Sequence, residues 1–258
     1  MTMQRGMTMQ AALQTTGLCR NFGALAVTQN VDFILPAGAR QALIGPNGAG
    51  KTTFINLLTG LLQPSAGRIR LGSEDITDLG ADARVKRGLV RTFQINTLFP
   101  ALTPLEAVTL ARLEQRRASR RWLAALSGQR QAIDEAYDLL ERIGLGADAL
   151  TETRALPYGK QRLLEIALAL ACDPRVLLLD EPAAGVPARE SAELFEAIAR
   201  LPRDLSILFI EHDMDLVFRF AERITVLVAG AVLTEGTPAE IADDPQVRLV
   251  YLGSAAHG

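Results

Sequence analysis

The chain has 258 residues, 48% of them hydrophobic and 22% charged, with a formal net charge of −2. That is enough apolar material for a large core, and it excludes a disordered chain; so small a net charge leaves no electrostatic footprint for a general nucleic-acid binder. The two cysteines, Cys19 and Cys172, have no metal-ligand spacing and fit a reducing compartment without structural disulfides, so both are expected in the core.

In chain order, residues 1–10 are expected as a loose tail, with one arginine and no apolar run of signal-peptide length. Ala12 to Leu35 alternates short β-like runs with turn residues such as Asn21-Phe22-Gly23-Ala24, which predicts an antiparallel β element, and Pro36-Ala37-Gly38 turns the chain onward. Gln41-Ala42-Leu43-Ile44 then reads as a strand, Gly45-Pro46-Asn47-Gly48-Ala49-Gly50-Lys51-Thr52-Thr53 as a glycine loop, and Phe54 to Leu58 as the start of a helix. That is the P-loop context. Gly45, Gly48 and Gly50 free the backbone to wrap a phosphate with its N–H groups, Lys51 reaches the β- and γ-phosphates, and the Thr52 hydroxyl holds Mg²⁺. Average residue usage would place this motif in roughly one chain in a hundred of this length even before the flanking strand and helix are required.

Arg68-Ile69-Arg70-Leu71 predicts a strand, Asp78 to Arg87 a helix, and Leu89 to Gln94 a strand ending in glutamine. Ala101 to Leu145 is leucine- and alanine-rich with helical period, opened by Pro100 and Pro104 and closed by Gly144 and Gly146. Arg116-Arg117 and Arg120-Arg121 beside Trp122 fit either a docking surface for an acidic partner or lipid headgroups, or a solvated helix face. A buried helix is expected from Lys160 to Ala171, stopped by Pro174. Arg175 to Glu181 is an apolar run ending in two carboxylates, Ala188 to Ala199 is amphipathic, and Ser206 to His212 repeats the strand pattern. The alternation through Ile224 to Val228 predicts an α/β fold: a P-loop NTPase core with a mainly parallel sheet, an N-terminal antiparallel β element and an inserted helical subdomain. The expected division is 11–94 with 173–236 for the core, 95–172 for the helical subdomain and 237–258 for a C-terminal tail. No apolar run approaches the roughly 20 residues of a membrane span, so any membrane role must run through a partner.

The P-loop, Gln94, Asp180-Glu181 and His212 all fall at one edge of this sheet. Phosphoryl transfer to water needs a phosphate cradle, a metal, a base for the water and a group that senses the γ-phosphate. In that scheme Asp180 holds Mg²⁺ through its water shell together with Thr52, Glu181 is the general base, His212 bonds the γ-phosphate, and Gln94 links metal and water to what lies beyond.

Five stretches occur in a fixed order: GPNGAGKT (45–52), RTFQ (91–94), LPYGKQRLLEIALAL (156–170), VLLLDEP (176–182) and FIEHD (209–213). With them the chain resembles, over nearly its whole length, the nucleotide-binding subunit of an ATP-binding cassette (ABC) transporter. The resemblance implies an ATPase that uses ATP and Mg²⁺, with Phe22 stacked on adenine and Gln94 opening the loop that faces the membrane subunits. It also implies that the signature residues Tyr158, Gly159, Lys160 and Gln161 complete the ATP site of a second ABC ATPase chain, identical or similar. The other implied partners are transmembrane permease subunits and, indirectly, an extracytoplasmic solute-binding protein; no nucleic acid is expected, and the place is peripheral, on the cytoplasmic face of the inner membrane.

Within the family, Tyr158-Gly159, EPAAG (181–185), EHDMDLVF (211–218) and the ending Val250-Tyr251-Leu252-Gly253 are most similar to the branched-chain amino acid (Liv-type) and related amide or aromatic-acid importers. The lipopolysaccharide-export ATPase shares related features, which keeps the substrate open. Pro157 and Lys160 replace the serine and glutamine of the usual signature, leaving Gly159 N–H, the helix N-terminus and Lys160 to meet a partner's γ-phosphate. Val186-Pro187-Ala188 lacks the acceptor usual there, whereas Arg162 matches the family's basic residue. A soluble clamp on nucleic acid or ribosomes would carry two cassettes or long coiled coils, and a small-molecule kinase a lid in place of Tyr158 to Gln161.

Overall fold

In the computed structural model, residues 10–92, 98–116 and 126–254 are described. Gln94, Arg117, Arg120, Arg121 and Trp122 lie outside them, as does almost all of the predicted N-terminal tail.

Strands β1 (Ala11–Phe22) and β2 (Leu25–Pro36) form an antiparallel hairpin, as the alternating pattern predicted, and recruit β4 (Ala66–Leu71) and β5 (Glu74–Asp75) into a sheet of order β2-β1-β4-β5. The second sheet has the order β10-β9-β3-β8-β7-β6, built from β3 (Arg40–Ile44), β6 (Leu89–Arg91), β7 (Val176–Asp180), β8 (Ser206–Ile210), β9 (Arg223–Val228) and β10 (Ala231–Gly236). Its pairings are parallel except for β10 on β9, which close an antiparallel hairpin at the edge.

The short apolar runs explain why this sheet is covered on both faces. Along β7, Val176 and Leu178 point into one core with Phe54, Leu57 and the antiparallel sheet, while Leu177 and Leu179 point into the other with Leu164, Phe195 and Val217. Strand β8 alternates likewise, Leu208 and Ile210 on one side and Ile207 and Phe209 on the other. A strand apolar at every position serves two layers at once.

Helix α1 (Lys51–Thr59) fills the space between the sheets. The predicted helix from Asp78 to Arg87 shortens to α2 (Ala81–Val85), bounded by extended Gly80 and by the turn at Gly88, whose φ of 89° favours glycine. Thr103 and Glu106 form a reciprocal capping box that starts α3 (Pro104–Gln115), and α4 (Leu126–Arg142) returns to the short turns before α5 (Tyr158–Leu170). Helix α5 buries Leu164, Ile166 and Ala167 in the core shared with β7, so the helical part is continuous with the sheet layer. Helices α6 (Ala188–Ala199) and α7 (Met214–Phe220) cover the same face. The C-terminal stretch, expected as a tail, folds into α8 (Pro238–Asp243) and α9 (Pro245–Ser254).

Both cysteines are half-buried, with Cys172 packed against the edge of the core. Cys19 faces the bulged side of β1, where its Sγ accepts from Asn30 N–H at 3.2 Å, and Cys172 lies in the surface turn after α5.

Candidate active site

The loop after β3 leaves a backbone cradle with little material in it. An added Cβ at Gly45 would lie 2.1 Å from the Leu227 carbonyl oxygen and one at Gly50 would lie 2.8 Å from that of Val27, while Gly48 faces open space. Gly50, with φ of 96°, caps α1 without any side-chain hydrogen bond, and the first turn has no acidic residue. The helix thus begins with uncapped N–H groups and an uncompensated positive end, which suits a phosphate chain. Pro46 is half-buried, Asn47 exposed, and Ala49 buried against the loop. The Lys51 ammonium is folded back onto the carbonyls of Gly45 (2.7 Å) and Pro46 (3.2 Å). Burial pushes its pKa down, and the carboxylates of Glu181 and Asp180 pull it back up. Thr52 is exposed at the helix start with Thr53 beside it half-buried. A hydroxyl oxygen at Thr52 and a carboxylate at Asp180 are the hard ligands that Mg²⁺ takes, so this donor set fits that ion.

Asp180 ends β7. The Arg91 guanidinium, at the end of neighbouring β6, holds its carboxylate and also donates to Asn56 Oδ1 on α1 at 2.8 Å. Glu181 follows with φ of 49°, a left-handed conformation unusual for a side chain of this kind, fixed by its N–H donating to Ile210 at 3.0 Å. His212, just past β8, places Nε2 2.8 Å from Glu181 Oε1. Lys51, Asp180, Glu181 and His212 therefore meet at the carboxyl ends of β3, β7 and β8, as the strand pattern predicted; Gln94 lies outside the described residues.

Three contributors had been given no role from the sequence. Glu211, only 5% exposed, accepts from the N–H groups of Ala183 (2.8 Å) and His212 (3.2 Å) and so ties the two strand ends together; burial pushes its pKa up. Its signal was a carboxylate closing an apolar strand directly before the histidine. Arg91 is likewise a charged residue closing a short apolar strand, β6, two strands away. Arg84 is fully buried and donates to the carbonyls of Leu57, Leu58, Thr77 and Leu79, at 2.6 to 2.8 Å, clamping the end of α1 to the turn before α2.

The signature residues start α5 with Pro157 as its cap residue, without a side-chain bond. Gly159 N–H and the Lys160 ammonium, expected to be available to a partner's phosphate, are engaged within the chain: Glu190 Oε2 accepts from Gly159 at 3.1 Å, and Lys160 pairs with Asp148 at 2.6 Å. Gln161 caps the Leu156 carbonyl at 2.9 Å. Tyr158 and Arg162 both donate to the Ala184 carbonyl, at 3.3 and 3.2 Å, linking the helix to the loop after Glu181. Phe22 is 46% exposed at the β1–β2 turn, with the Arg20 guanidinium 4.7 Å above its ring.

The sequence pattern of the family described as ABC transporter matches residues 28–184, and that of the branched-chain amino acid ATP-binding cassette transporter matches 231–257. The chain is 40% identical to the high-affinity branched-chain amino acid transport ATP-binding protein BraF of Pseudomonas aeruginosa, covering 94% of this chain and 98% of BraF. It is 41% identical to LivG of Salmonella typhimurium, a protein of the same description, over 95% and 99% of the two chains. The ADP conformation of MJ1267, an ATP-binding cassette of an ABC transporter, superposes with a TM-score of 0.83 at 27% identity, over 94% of this chain and 99% of that one. With the family match spanning more than half of the chain and the phosphate cradle in place, the protein belongs to the ABC transporter family, as one of its ATP-binding ATPases.

Proposed function

We propose that this chain hydrolyses MgATP on the 45–53 loop to energise import of branched-chain amino acids, or of a related amide or acid, through a membrane permease. The observation that carries the reading is the convergence of Lys51, Asp180, Glu181 and His212 at one sheet edge, above an uncapped helix start. Phosphate oxygens would take the N–H groups of the loop, and the Lys51 ammonium would turn from the Gly45 and Pro46 carbonyls to the β- and γ-phosphates. Thr52, and Asp180 through the ion's water shell, would hold Mg²⁺, with Gln94 completing its surroundings; the ion would supply charge neutralisation at the phosphates. Glu181 would take the proton of the attacking water as its oxygen bonds to phosphorus and the bond to ADP breaks, and His212 would donate to a γ-oxygen.

Two such cassettes would pair head to tail, with Tyr158, Gly159, Lys160 and Gln161 of each facing the other's nucleotide and Phe22 on the adenine. The Gln94 loop and the helical part would pass closure to the permease. Among the described residues no helix is long and apolar enough to cross a membrane. The chain would act as a peripheral subunit, held at the cytoplasmic face of the inner membrane by the permease. A solute-binding protein would act from the other side, and nucleic acid has no part in the reading. The solute class is taken from the names of BraF and LivG.

The test is to express tagged Glu181→Gln protein in its native cell, solubilise membranes with ATP present and identify what stays bound by mass. Co-purified multi-spanning proteins support the importer, and the number of distinct cassette chains distinguishes a homodimer from a heterodimer. Recovery with only soluble complexes or nucleic acid overturns it.

A further inference from the structure

The two side chains assigned to Mg²⁺ sit on different elements, Thr52 in the first turn of α1 and Asp180 at the end of β7. One residue joins those elements. Arg91 closes β6 opposite Leu178 in the parallel pairing, and the Thr92 N–H donates to the Leu178 carbonyl at 3.0 Å, so its backbone is held beside β7, two residues before Asp180. From there the guanidinium divides its donors. Nη2 is paired with Asp180 Oδ2, and Nη1 donates to Asn56 Oδ1 at 2.8 Å. Asn56 lies one turn after Thr52 on α1, so the two share a face of the helix. The side chains of Arg91 and Asp180 are only 18% and 19% exposed, so little water competes for the pair.

We propose that Arg91 is a positioning residue for the metal site: bridging Asp180 and Asn56, it sets the spacing between the Asp180 carboxylate and the face of α1 that carries Thr52. The physical reason lies in how each ligand is anchored. Thr52 is fixed by its helix. A carboxylate that meets the ion only through water is not pinned by the ion, so its orientation has to come from the protein. A guanidinium on one carboxylate oxygen leaves the second to accept from a water of the ion's shell. The planar fork also serves two acceptors on separate elements at a fixed spacing, which an ammonium on a flexible stem does not.

The inference rests on the reading that Thr52 and Asp180 hold Mg²⁺, and the experiment separates the two. Arg91→Lys keeps the positive charge and loses the two-ended reach; Asn56→Ala removes the anchor on α1 and leaves Arg91 and Asp180 in place; Asp180→Asn tests the metal site itself. Mn²⁺ stands in for Mg²⁺, and its affinity for the full chain loaded with a non-hydrolysable ATP analogue is read by electron paramagnetic resonance. Analogue affinity in EDTA and thermal unfolding are measured on the same preparations. One lost hydrogen bond of the bridge predicts Mn²⁺ affinity lower by about threefold to tenfold in Arg91→Lys and in Asn56→Ala. Metal-free analogue affinity should stay within about twofold in both, a split that a general loosening of the fold would not produce. If Arg91→Lys fails to fold, Asn56→Ala, at a half-buried helix position that suits alanine, decides alone. Wild-type or tighter Mn²⁺ binding in either folded variant, with loss in Asp180→Asn, overturns the role of Arg91 alone, and so does an equal loss of metal-free affinity. Undiminished Mn²⁺ binding in Asp180→Asn overturns both readings.

Discussion

His212 Nε2 and Glu181 Oε1 stand 2.8 Å apart across the ends of two adjacent parallel strands, and the left-handed backbone of Glu181 is what turns its side chain toward the imidazole. With Glu181 as the base, Glu181→Gln should bind ATP within about twofold of wild type and lose turnover by about 10²-fold to 10⁴-fold. Phosphate release and equilibrium nucleotide binding on the same preparation check this, and turnover within tenfold of wild type would exclude Glu181 as the base.

The strand-end carboxylates and histidine were legible because an apolar run covered on both faces must end where the helices stop covering it. Its first polar residues therefore mark the ligand edge, as at Asp180, Glu181 and His212. The P-loop was legible because its motif is local, complete within the nine residues from Gly45 to Thr53. What stayed hidden depends on distant partners. Nothing near Gly159 in sequence announces Glu190, and nothing in the β9–β10 turn announces that Gly230 N–H reaches the Ala49 carbonyl. The Lys160–Asp148 pair was hidden for the same reason, since Asp148 comes from the turns before α5.

The Glu190 carboxylate occupies the Gly159 N–H at the start of α5. If a partner's γ-phosphate takes that amide, Glu190 competes with it. In the Glu181→Gln background, Glu190→Ala should therefore lower the ATP concentration for half-maximal dimerisation, by roughly threefold to tenfold for one charge-assisted bond. Light scattering across an ATP titration reads the midpoint, and an unchanged or higher midpoint would exclude competition.

Arg84 satisfies four carbonyls from full burial, and the bonds to Leu57 and Leu58 are themselves buried, so its loss strands acceptors in the core. Arg84→Met should destabilise the chain by about 3–5 kcal/mol, and Arg84→Lys by about half of that, because an ammonium cannot span the same set. Urea unfolding gives both values. A loss under about 1 kcal/mol for Arg84→Met would show that the clamp is dispensable.

Glu165 in α5 is buried beside Arg162 at 3.0 Å, with Oε1 lacking a partner. Burial pushes its pKa up to about 7 despite the arginine. Between the unfolded value near 4.5 and about 7, the native chain holds the proton more tightly than the unfolded one. Stability therefore falls as pH rises through that window, and the loss persists above it. Glu165→Gln should flatten the slope and be more stable than wild type at pH 8 by on the order of 1 kcal/mol. Glu211, shifted in the same direction by burial, keeps part of the slope in the variant. Thermal unfolding from pH 5 to pH 8 reads the difference, and parallel curves would refute it.

The Lys51 ammonium rests on the carbonyls of Gly45 and Pro46, near the carboxylates of Asp180 and Glu181. Its charge is held at the loop by two backbone dipoles and not by a direct ion pair. A phosphate chain therefore has only two hydrogen bonds to neutral oxygens to displace, each replaced by an ionic, charge-assisted one of the kind that is roughly twice as strong as a neutral bond.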